Sequence, residues 1–333
     1  SKVRPIDPHP TTPPAMQRAQ GSSPAVPETL GDDRANGACR ENDDRGSSRP
    51  ARPALLDLAR INSWPELDLE EAASGARQIL ESRPERRLRV ATWNVWFGSL
   101  VQYIRAERLL RDLLEVAPDV ICLQEVLPGL LGALCSCGSL AEVYALSPFD
   151  ISGYGCVMLV RRDWPAEFAE EGLPSGMGRK LLLAEFQPVS SQPLVVATVH
   201  LESLHHTACR IQQLQLSAQV IRAKSCAAVL CGDFNFDATR TFGDWDRPAA
   251  APRVPAEEIM LKDEVCDFVD AWPTVCHDDM GFTFDGVLNP QCVPNRRERM
   301  RYDRILAKAG PQASLVPQTA RLLGLEPVNV RSK

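Results

Sequence analysis

Short apolar segments that end in polar residues constrain the fold of this chain more than any other feature. From Leu88 onward these segments have the length and composition of buried strands. Strands are predicted at 88–93, 119–125, 154–161, 181–187, 194–200, 227–231, 300–307 and 320–325. Two longer segments, 101–117 and 207–224, carry apolar residues at helical spacing. Many strands interrupted by a few helices predict an α/β sandwich whose sheets are covered by helices.

The first part of the chain has a different composition. Residues 1–53 are crowded with Pro, Ser, Gly, Asp and Arg and contain few large apolar residues. Such a segment cannot bury enough surface to offset its loss of entropy, so we predict that it is disordered. Residues 54–87 show weaker helical spacing, interrupted by Pro65 and Pro84, and are predicted to form a helical connector. Residues 88–333 are predicted to form the main domain.

Charge and cysteine content narrow the class of protein. A net charge of −6 is unlike that of proteins that coat nucleic acid non-specifically, although one groove can still hold a single phosphodiester. No apolar run approaches the roughly 18 residues that a membrane span needs. Eleven cysteines without a CxxC pair favour reduced thiols over a disulfide framework or a zinc site. We therefore predict an intracellular protein with no membrane partner.

Several predicted strands end in side chains that can perform chemistry. Asn94, Glu125, His200 and Asp233 each follow a different strand, and Asn235 lies two residues after Asp233. Each has an ordinary interpretation when taken alone, because such residues also form turns, caps and solvated loops. Polar groups gathered at strand ends on a rigid sheet are nevertheless typical of catalytic sites.

The order of these residues resembles a known family. The matching blocks are TWN at 92–94, LQEV at 123–126, HLES at 200–203, GDFNFD at 232–237 and RYDRI at 301–305. Together they resemble the endonuclease/exonuclease/phosphatase superfamily, which includes deoxyribonuclease I, abasic-site endonucleases, inositol polyphosphate phosphatases and sphingomyelinases. The resemblance implies a deoxyribonuclease I-like fold, a two-layer β-sandwich flanked by helices, and phosphodiester hydrolysis with Mg²⁺, with Mn²⁺ as the alternative.

The resemblance also implies roles for individual residues. Glu125 is expected to hold the divalent cation, and Asn94 to help orient the metal or the phosphate. Asp233 is expected to position or deprotonate the attacking water, which needs an acceptor within hydrogen-bond reach. Asn235 is expected to donate to a phosphate oxygen, and His200 to lie near that phosphate. A further residue, Asp303, resembles the aspartate that supports a catalytic histidine later in the chain.

One block of the family pattern has no counterpart in this sequence. Members end in a Ser-Asp-His block, whereas no histidine follows Asp303 here. We expect either a truncated sequence of an active enzyme or a natural product with weakened catalysis. Loss of such a donor commonly costs about 10²- to 10³-fold in rate.

Within the superfamily the blocks most resemble the tyrosyl-DNA phosphodiesterase 2 subgroup. That resemblance implies DNA 5′ ends as substrate, repair of trapped topoisomerase and a nuclear location, and we expect a monomer. Trp272 is a candidate for stacking on a base, or for packing in the core. Arg297 and Arg301 belong to a basic cluster at 295–301 that either holds flanking phosphates or forms a solvated loop.

Three other functions stay open from the sequence. The first is hydrolysis of a different phosphoester, such as an RNA end, an inositol phosphate or sphingomyelin. The second is a non-catalytic module that binds DNA ends. The third is a purely structural interaction protein, in which replacement of Glu125 would leave every function intact.

Overall fold

The computed structural model describes residues 64–83, 87–187, 192–240, 242–243, 254–291, 293, 295 and 297–328. The segment predicted to be disordered, 1–53, lies outside the described residues. Within the predicted connector, the described part forms helix α1, whose buried face packs into the main domain. No helix in the described part of the chain is long and apolar enough to cross a membrane.

Seven helices and twelve strands are assigned in the described ranges. The helices are α1 (Glu70–Ser82), α2 (Gln102–Val116), α3 (Pro128–Ser136), α4 (Gly138–Val143), α5 (Thr207–Ala223), α6 (Ala256–Glu264) and α7 (Ala271–Val275). The strands are β1 (Val90–Asn94), β2 (Val120–Val126), β3 (Tyr144–Leu146), β4 (Gly155–Arg161), β5 (Ala166–Gly172), β6 (Lys180–Phe186), β7 (Leu194–His200), β8 (Ala227–Asp233), β9 (Phe268–Asp270), β10 (Phe284–Asp285), β11 (Arg299–Met300) and β12 (Asp303–Lys308).

Two sheets form the centre of the molecule. The first has the strand order β1-β2-β4-β3, and the second has the order β5-β6-β7-β8-β12-β9. In each sheet one pair is parallel, β1 with β2 and β7 with β8, and each of these pairs is joined through a helix, α2 or α5. Parallel neighbours need such a crossover, which is why the two predicted helices lie where they do.

The apolar residues of the strands divide among three cores. Between the sheets, Cys122 and Met158 from the first sheet pack against Val196, Val229 and Cys231 from the second. The outer face of the first sheet is covered by α1 to α4, and that of the second by α5 and α6. Strands buried on both faces read as continuous apolar runs, as β7 and β8 do. The predicted α/β fold, a two-layer β-sandwich flanked by helices, is confirmed.

The structure corrects some of the predicted elements. Residues 320–325 form no strand, and residues 300–307 divide into β11 and β12 with a break at Arg301 and Tyr302. Strand β5, with the sequence AEFAEEG, escaped prediction because Ala and Glu are poor strand formers. It is an edge strand that pairs only with β6, so solvent rather than a second neighbour accepts its polar side chains.

Candidate active site

The polar strand ends lie together at one rim of the sandwich. The carboxyl ends of β1, β2, β7 and β8 carry Asn94, Glu125, His200 and Asp233. Strand β12 runs antiparallel to β8, so its first residue, Asp303, lies opposite Asp233 in register. His200 is the register partner of Asp233 on the other side. The sheet topology therefore brings together residues that lie far apart in the sequence.

Asn94 bridges the two sheets at this rim. Its amide nitrogen Nδ2 donates to Glu125 Oε1 at 2.9 Å and to Asp233 Oδ2 at 2.8 Å. Its Oδ1 accepts a hydrogen bond from the backbone N–H of Trp96 at 2.9 Å. The amide thus turns its nitrogen, not its oxygen, toward the carboxylates. This orientation differs from the one that a metal-ligating Asn94 would need, and it makes Asn94 a donor that holds two acidic groups side by side.

Glu125 owes its position to an irregularity in β2. The pairing of β2 with β4 shifts register between Leu123 and Val126, and Glu125 has a left-handed φ of 59°. Such an irregularity redirects a side chain at a strand end. The second carboxylate oxygen of Glu125, Oε2, accepts the backbone N–H of Phe97 at 3.0 Å. Both oxygens are therefore fixed in place at the rim.

His200 is held in one tautomer by a buried arginine. Arg179 Nη1 lies 3.0 Å from His200 Nδ1, and because a guanidinium can only donate, Nδ1 accepts and Nε2 carries the proton. Burial, and next the positive charge of Arg179, lower the pKa of His200 to about 3, so the imidazole is neutral. Its Nε2 is 3.7 Å from Asp233 Oδ2 and 4.0 Å from Glu125 Oε1. These separations exceed a hydrogen bond, so Nε2 lies near both carboxylates without bonding to either.

Asp233 and Asn235 form one tight turn. Asp233 Oδ1 accepts the backbone N–H of Asn235 at 2.9 Å, while Asn235 has a left-handed φ of 55°. The Asn235 amide Nδ2 donates to the carbonyl of Leu201 at 2.9 Å, which ties this turn to the end of β7. One Nδ2 proton of Asn235 is used in this contact. Burial raises the pKa of Asp233, although the bonds from Asn94 and Asn235 oppose this shift.

Asp303 is a half-buried residue with one buried and unsatisfied carboxylate oxygen. Its Oδ1 has no hydrogen-bond partner among the described residues. Burial, and next the charge of Asp233, raise the pKa of Asp303 to about 8. A buried carboxyl beside another carboxylate is costly unless a proton or a cation compensates it.

The acidic side chains at the rim have the chemistry that a divalent cation needs. Glu125, Asp233 and Asp303 supply oxygen atoms, the ligand type that Mg²⁺ and Mn²⁺ prefer. The unpartnered Asp303 Oδ1, and the burial that raises the pKa of both aspartates, indicate carboxyl groups that a bound cation would stabilise in their charged form. In the described residues no three His, Cys, Asp or Glu side chains stand ready to enclose an ion. An ion here would complete its shell with water, as Mg²⁺ commonly does, and on this basis the residues fit.

Glu202 connects the end of β7 to the segment that carries Arg179. Its carboxylate accepts Ser175 Oγ at 2.6 Å and the backbone N–H of Gly176 at 2.9 Å. Burial alone would raise the pKa of Glu202, but hydrogen bonds from Ser175, Gly176 and Gln213 outweigh it and lower the pKa. Ser175 Oγ also accepts the N–H of Arg179 at 3.1 Å. The HLES block thus positions the arginine as well as His200.

Three residues predicted to bind substrate lie in different surroundings. The indole N–H of Trp272 donates to the carbonyl of Asp279 at 2.8 Å, so this half-buried ring is part of a structured loop. Arg301 is only 6% exposed, and its guanidinium binds both oxygens of Asp270 at 3.1 and 2.9 Å. The structure therefore places Arg301 in a buried ion pair rather than on a surface that phosphate can reach. Arg297 is exposed in the turn before β11.

The match to known sequences covers this whole arrangement. Residues 91–320 match the Endonuclease/Exonuclease/phosphatase family, a range that contains every strand end described above. The chain belongs to this family. The blocks that carried the resemblance are therefore part of a family match that extends over most of the domain.

Individual relatives in the family point to one subgroup. The chain is 25% identical to tyrosyl-DNA phosphodiesterase 2 of Gallus gallus over 245 residues, which cover 71% of this chain and 60% of the relative. It is 27% identical to the Homo sapiens protein of the same name over 248 residues, covering 71% and 62%. The chain thus spans about three fifths of the length of these relatives. The predicted likeness to this subgroup is confirmed.

Solved structures agree with the sequence comparison. The crystal structure of D. rerio TDP2 complexed with single strand DNA product superposes with a TM-score of 0.60 at 26% identity. The match covers 73% of this chain and 92% of that one. TDP2 from C. elegans has a TM-score of 0.52 at 22% identity, which bears on the fold alone.

Sequence reasoning missed three residues beside the site. Arg179 follows Gly176 and Gly178 and directly precedes β6, where nothing in the pattern distinguishes it from a solvated arginine. Its guanidinium lies 5.3 Å from the ring of Tyr154, and that ring is 6.2 Å from His200. Phe97 packs against Tyr154 with ring centroids 5.0 Å apart. Only Phe97 left a signal, as an aromatic residue in the loop directly after the TWN block.

Proposed function

We propose that this chain hydrolyses a phosphodiester in a reaction that depends on a divalent cation, Mg²⁺ or Mn²⁺. The observation that carries the proposal is the cluster at the rim, where Asn94 bonds both Glu125 and Asp233 and His200 Nε2 lies within 4.0 Å of both carboxylates. The cluster combines an acidic site for a cation with a neutral donor for a phosphate oxygen. This is what hydrolysis of an anionic ester requires.

Asp233 is the proposed acceptor of the proton from the attacking water. Burial raises the pKa of Asp233, and a carboxylate with a higher pKa is a stronger base. The hydrogen bonds from Asn94 and from the Asn235 N–H fix both of its oxygens, so its lone pairs keep one direction. Fixed acceptors need no reorganisation when the water is deprotonated.

His200 is proposed to bind a non-bridging phosphate oxygen through Nε2–H. With Nδ1 occupied by Arg179, the ring cannot change tautomer without losing that bond. The low pKa, about 3, keeps the ring neutral, so it stabilises developing charge as a hydrogen-bond donor and not as a proton donor. Asn235 retains one amide proton for a phosphate oxygen, while Asp303 lies opposite Asp233 as a further oxygen acceptor.

Glu125, with Asp303, is proposed to hold the cation. When bound, the cation would counter charge on the phosphate and on the leaving oxygen. Without the cation, Asn94 keeps Glu125 and Asp233 close together, since its amide nitrogen donates to both. The rim is thereby preorganised for the ion.

The proposed substrate is the bond between a tyrosine and a 5′-phosphate of DNA. The similarity to tyrosyl-DNA phosphodiesterase 2 supports this choice, and so do the aromatic and cationic side chains of Tyr154 and Arg179 beside His200. Exposed Arg297 remains a candidate contact for flanking phosphates, and half-buried Trp272 for a base. A role in DNA repair and a nuclear location follow as part of the proposal.

The test compares cleavage of a 5′-tyrosyl oligonucleotide by the chain and by two variants. Glu125→Gln and Asp233→Asn keep the size of each side chain and remove its charge. Each is expected to lower the rate at least about 100-fold, because a cation ligand or the water-activating base is lost. EDTA should abolish turnover, and Mg²⁺ should restore it.

Glu142→Gln is the matched control, since Glu142 is an exposed carboxylate of α4 that pairs with Arg77 away from the rim. Its rate should equal that of the unaltered chain. Faster hydrolysis of an inositol phosphate, sphingomyelin or an RNA end by the unaltered chain would reject the tyrosyl-DNA assignment. Equal rates for Glu125→Gln and the unaltered chain would reject the catalytic site itself.

A further inference from the structure

Phe97 presents an exposed aromatic ring at the edge of the proposed catalytic cluster. The residue is 45% exposed, and its backbone N–H is bonded to Glu125 Oε2. Its ring lies 5.0 Å from that of Tyr154, which in turn lies 6.2 Å from His200. Tyr154 thus contacts both Phe97 and His200, the residue proposed above to bind the phosphate.

The loop that carries Phe97 is held rigid by one side chain. The guanidinium of Arg105 donates to the carbonyls of Val95 at 3.0 Å, Trp96 at 3.1 Å and Gly98 at 2.6 Å, and Nε donates to that of Leu100 at 2.8 Å. The same guanidinium lies 4.5 Å from the centre of the Trp96 ring. Gly98 lies so close to that indole that a Cβ would overlap it. The loop therefore keeps its conformation although its outer side chain faces solvent.

Rigidity distinguishes Phe97 from ordinary exposed apolar residues. Single apolar side chains on a surface need no special explanation, and Leu288, 69% exposed, is an example. Phe97 differs because Arg105 fixes its backbone and Tyr154 supports its ring beside charged groups. An aromatic ring fixed in this way loses little entropy when a flat partner stacks on it.

Resting on the proposed function, we propose that Phe97 is a specificity residue that stacks on an unpaired nucleobase of the substrate strand. The partner must be flat and aromatic to match the ring, and it must be linked to the phosphate at the rim. A nucleobase meets both conditions, and stacking tolerates all four bases because each has a π-face. Since a paired base is covered by its neighbours, the exposed ring of Phe97 favours single-stranded or frayed ends.

The experiment measures stacking by fluorescence and does not depend on catalytic turnover. A 5′-phosphorylated single strand carries the fluorescent base 2-aminopurine at the first, second or third position, and its emission is followed as the protein is added. Stacking on Phe97 should quench emission at one of these positions. Phe97→Ala should remove that quenching and weaken binding about tenfold, whereas Phe97→Tyr, which keeps the ring, should retain both.

Two further comparisons separate the possible failures. Leu288→Ala, which removes an exposed apolar side chain elsewhere, should leave quenching and affinity unchanged. Replacing the stacked nucleotide by an abasic one should weaken binding by the unaltered chain but not by Phe97→Ala.

Binding with equal quenching in the unaltered chain and Phe97→Ala would overturn the stacking role alone. No binding by the unaltered chain, at any position of the label, would overturn the proposed function and the stacking role together.

Discussion

At the scale of single residues, the closest packing beside the site occurs at Gly232, the residue before Asp233. Its φ is 132°, and a Cβ would overlap the carbonyl oxygen of Val199 on the neighbouring strand β7. The glycine therefore lets β8 approach β7 closely enough for Asp233 to pair in register with His200. A side chain here would strain the backbone and separate two strands that carry catalytic candidates.

Gly232→Ala is expected to lower the free energy of unfolding by more than about 3 kcal/mol, because strain and overlap with backbone act together. Urea denaturation followed by circular dichroism measures the loss. Gly172→Ala in β5 is the control, since a Cβ there meets no atom within 4 Å. It should change stability by no more than about 0.5 kcal/mol. A similar small effect at Gly232 would contradict this description of the strand contact.

At the scale of elements, the sequence predicted what depends on local pattern. Helix α2 lies within a residue of the predicted segment 101–117 at each end because Pro118 stops a helix; in the structure Ala117, directly before it, takes a left-handed conformation. Asn94, Glu125 and Asp233 were singled out because each follows an apolar strand, and the sheets do bring them together.

What escaped prediction depends on contacts between distant segments. The polar partner of His200 is Arg179, and no local pattern reveals that its side chain folds back onto β7. Arg301 resembled an exposed phosphate contact in the sequence, yet Asp270 on β9 binds it in the interior. Strand β5 gave no signal because edge strands tolerate polar residues.

The contact between α5 and α6 depends on a buried ion pair. Arg210 and Glu257 are fully buried, with Nε and Oε1 2.9 Å apart, and Arg210 Nη1 donates to the carbonyls of Glu202 and Leu204. Removal of one partner leaves an uncompensated charge in the interior. Arg210 also holds the segment that follows His200, so the element contact is linked to the site.

Arg210→Met is therefore expected to cost about 3–5 kcal/mol of unfolding free energy and to lower the rate of hydrolysis. Combined with Glu257→Leu, it should cost less than the sum of the two single variants, with a coupling energy of about 1–3 kcal/mol. Arg222→Met, on the same helix, removes a half-exposed pair with Asp267 and should cost about 1 kcal/mol or less. Additive losses at Arg210 and Glu257 would show that the two charges do not depend on each other.

At the scale of the whole molecule, the proposed cation site joins the two sheets. Glu125 belongs to the first sheet, whereas Asp233 and Asp303 belong to the second, so repulsion between the Glu125 and Asp233 carboxylates opposes the packing of one sheet on the other. A bound cation would replace that repulsion by attraction across the sandwich. Metal binding should then be visible in the stability of the fold, independently of any substrate.

Mg²⁺ at about 100 times its dissociation constant is expected to raise the free energy of unfolding by about 2.7 kcal/mol. Differential scanning calorimetry with and without Mg²⁺, at equal ionic strength, measures the corresponding shift of the melting temperature. Glu125→Gln should lose this shift. An equal shift by Mg²⁺ in both proteins would place the ion away from Glu125.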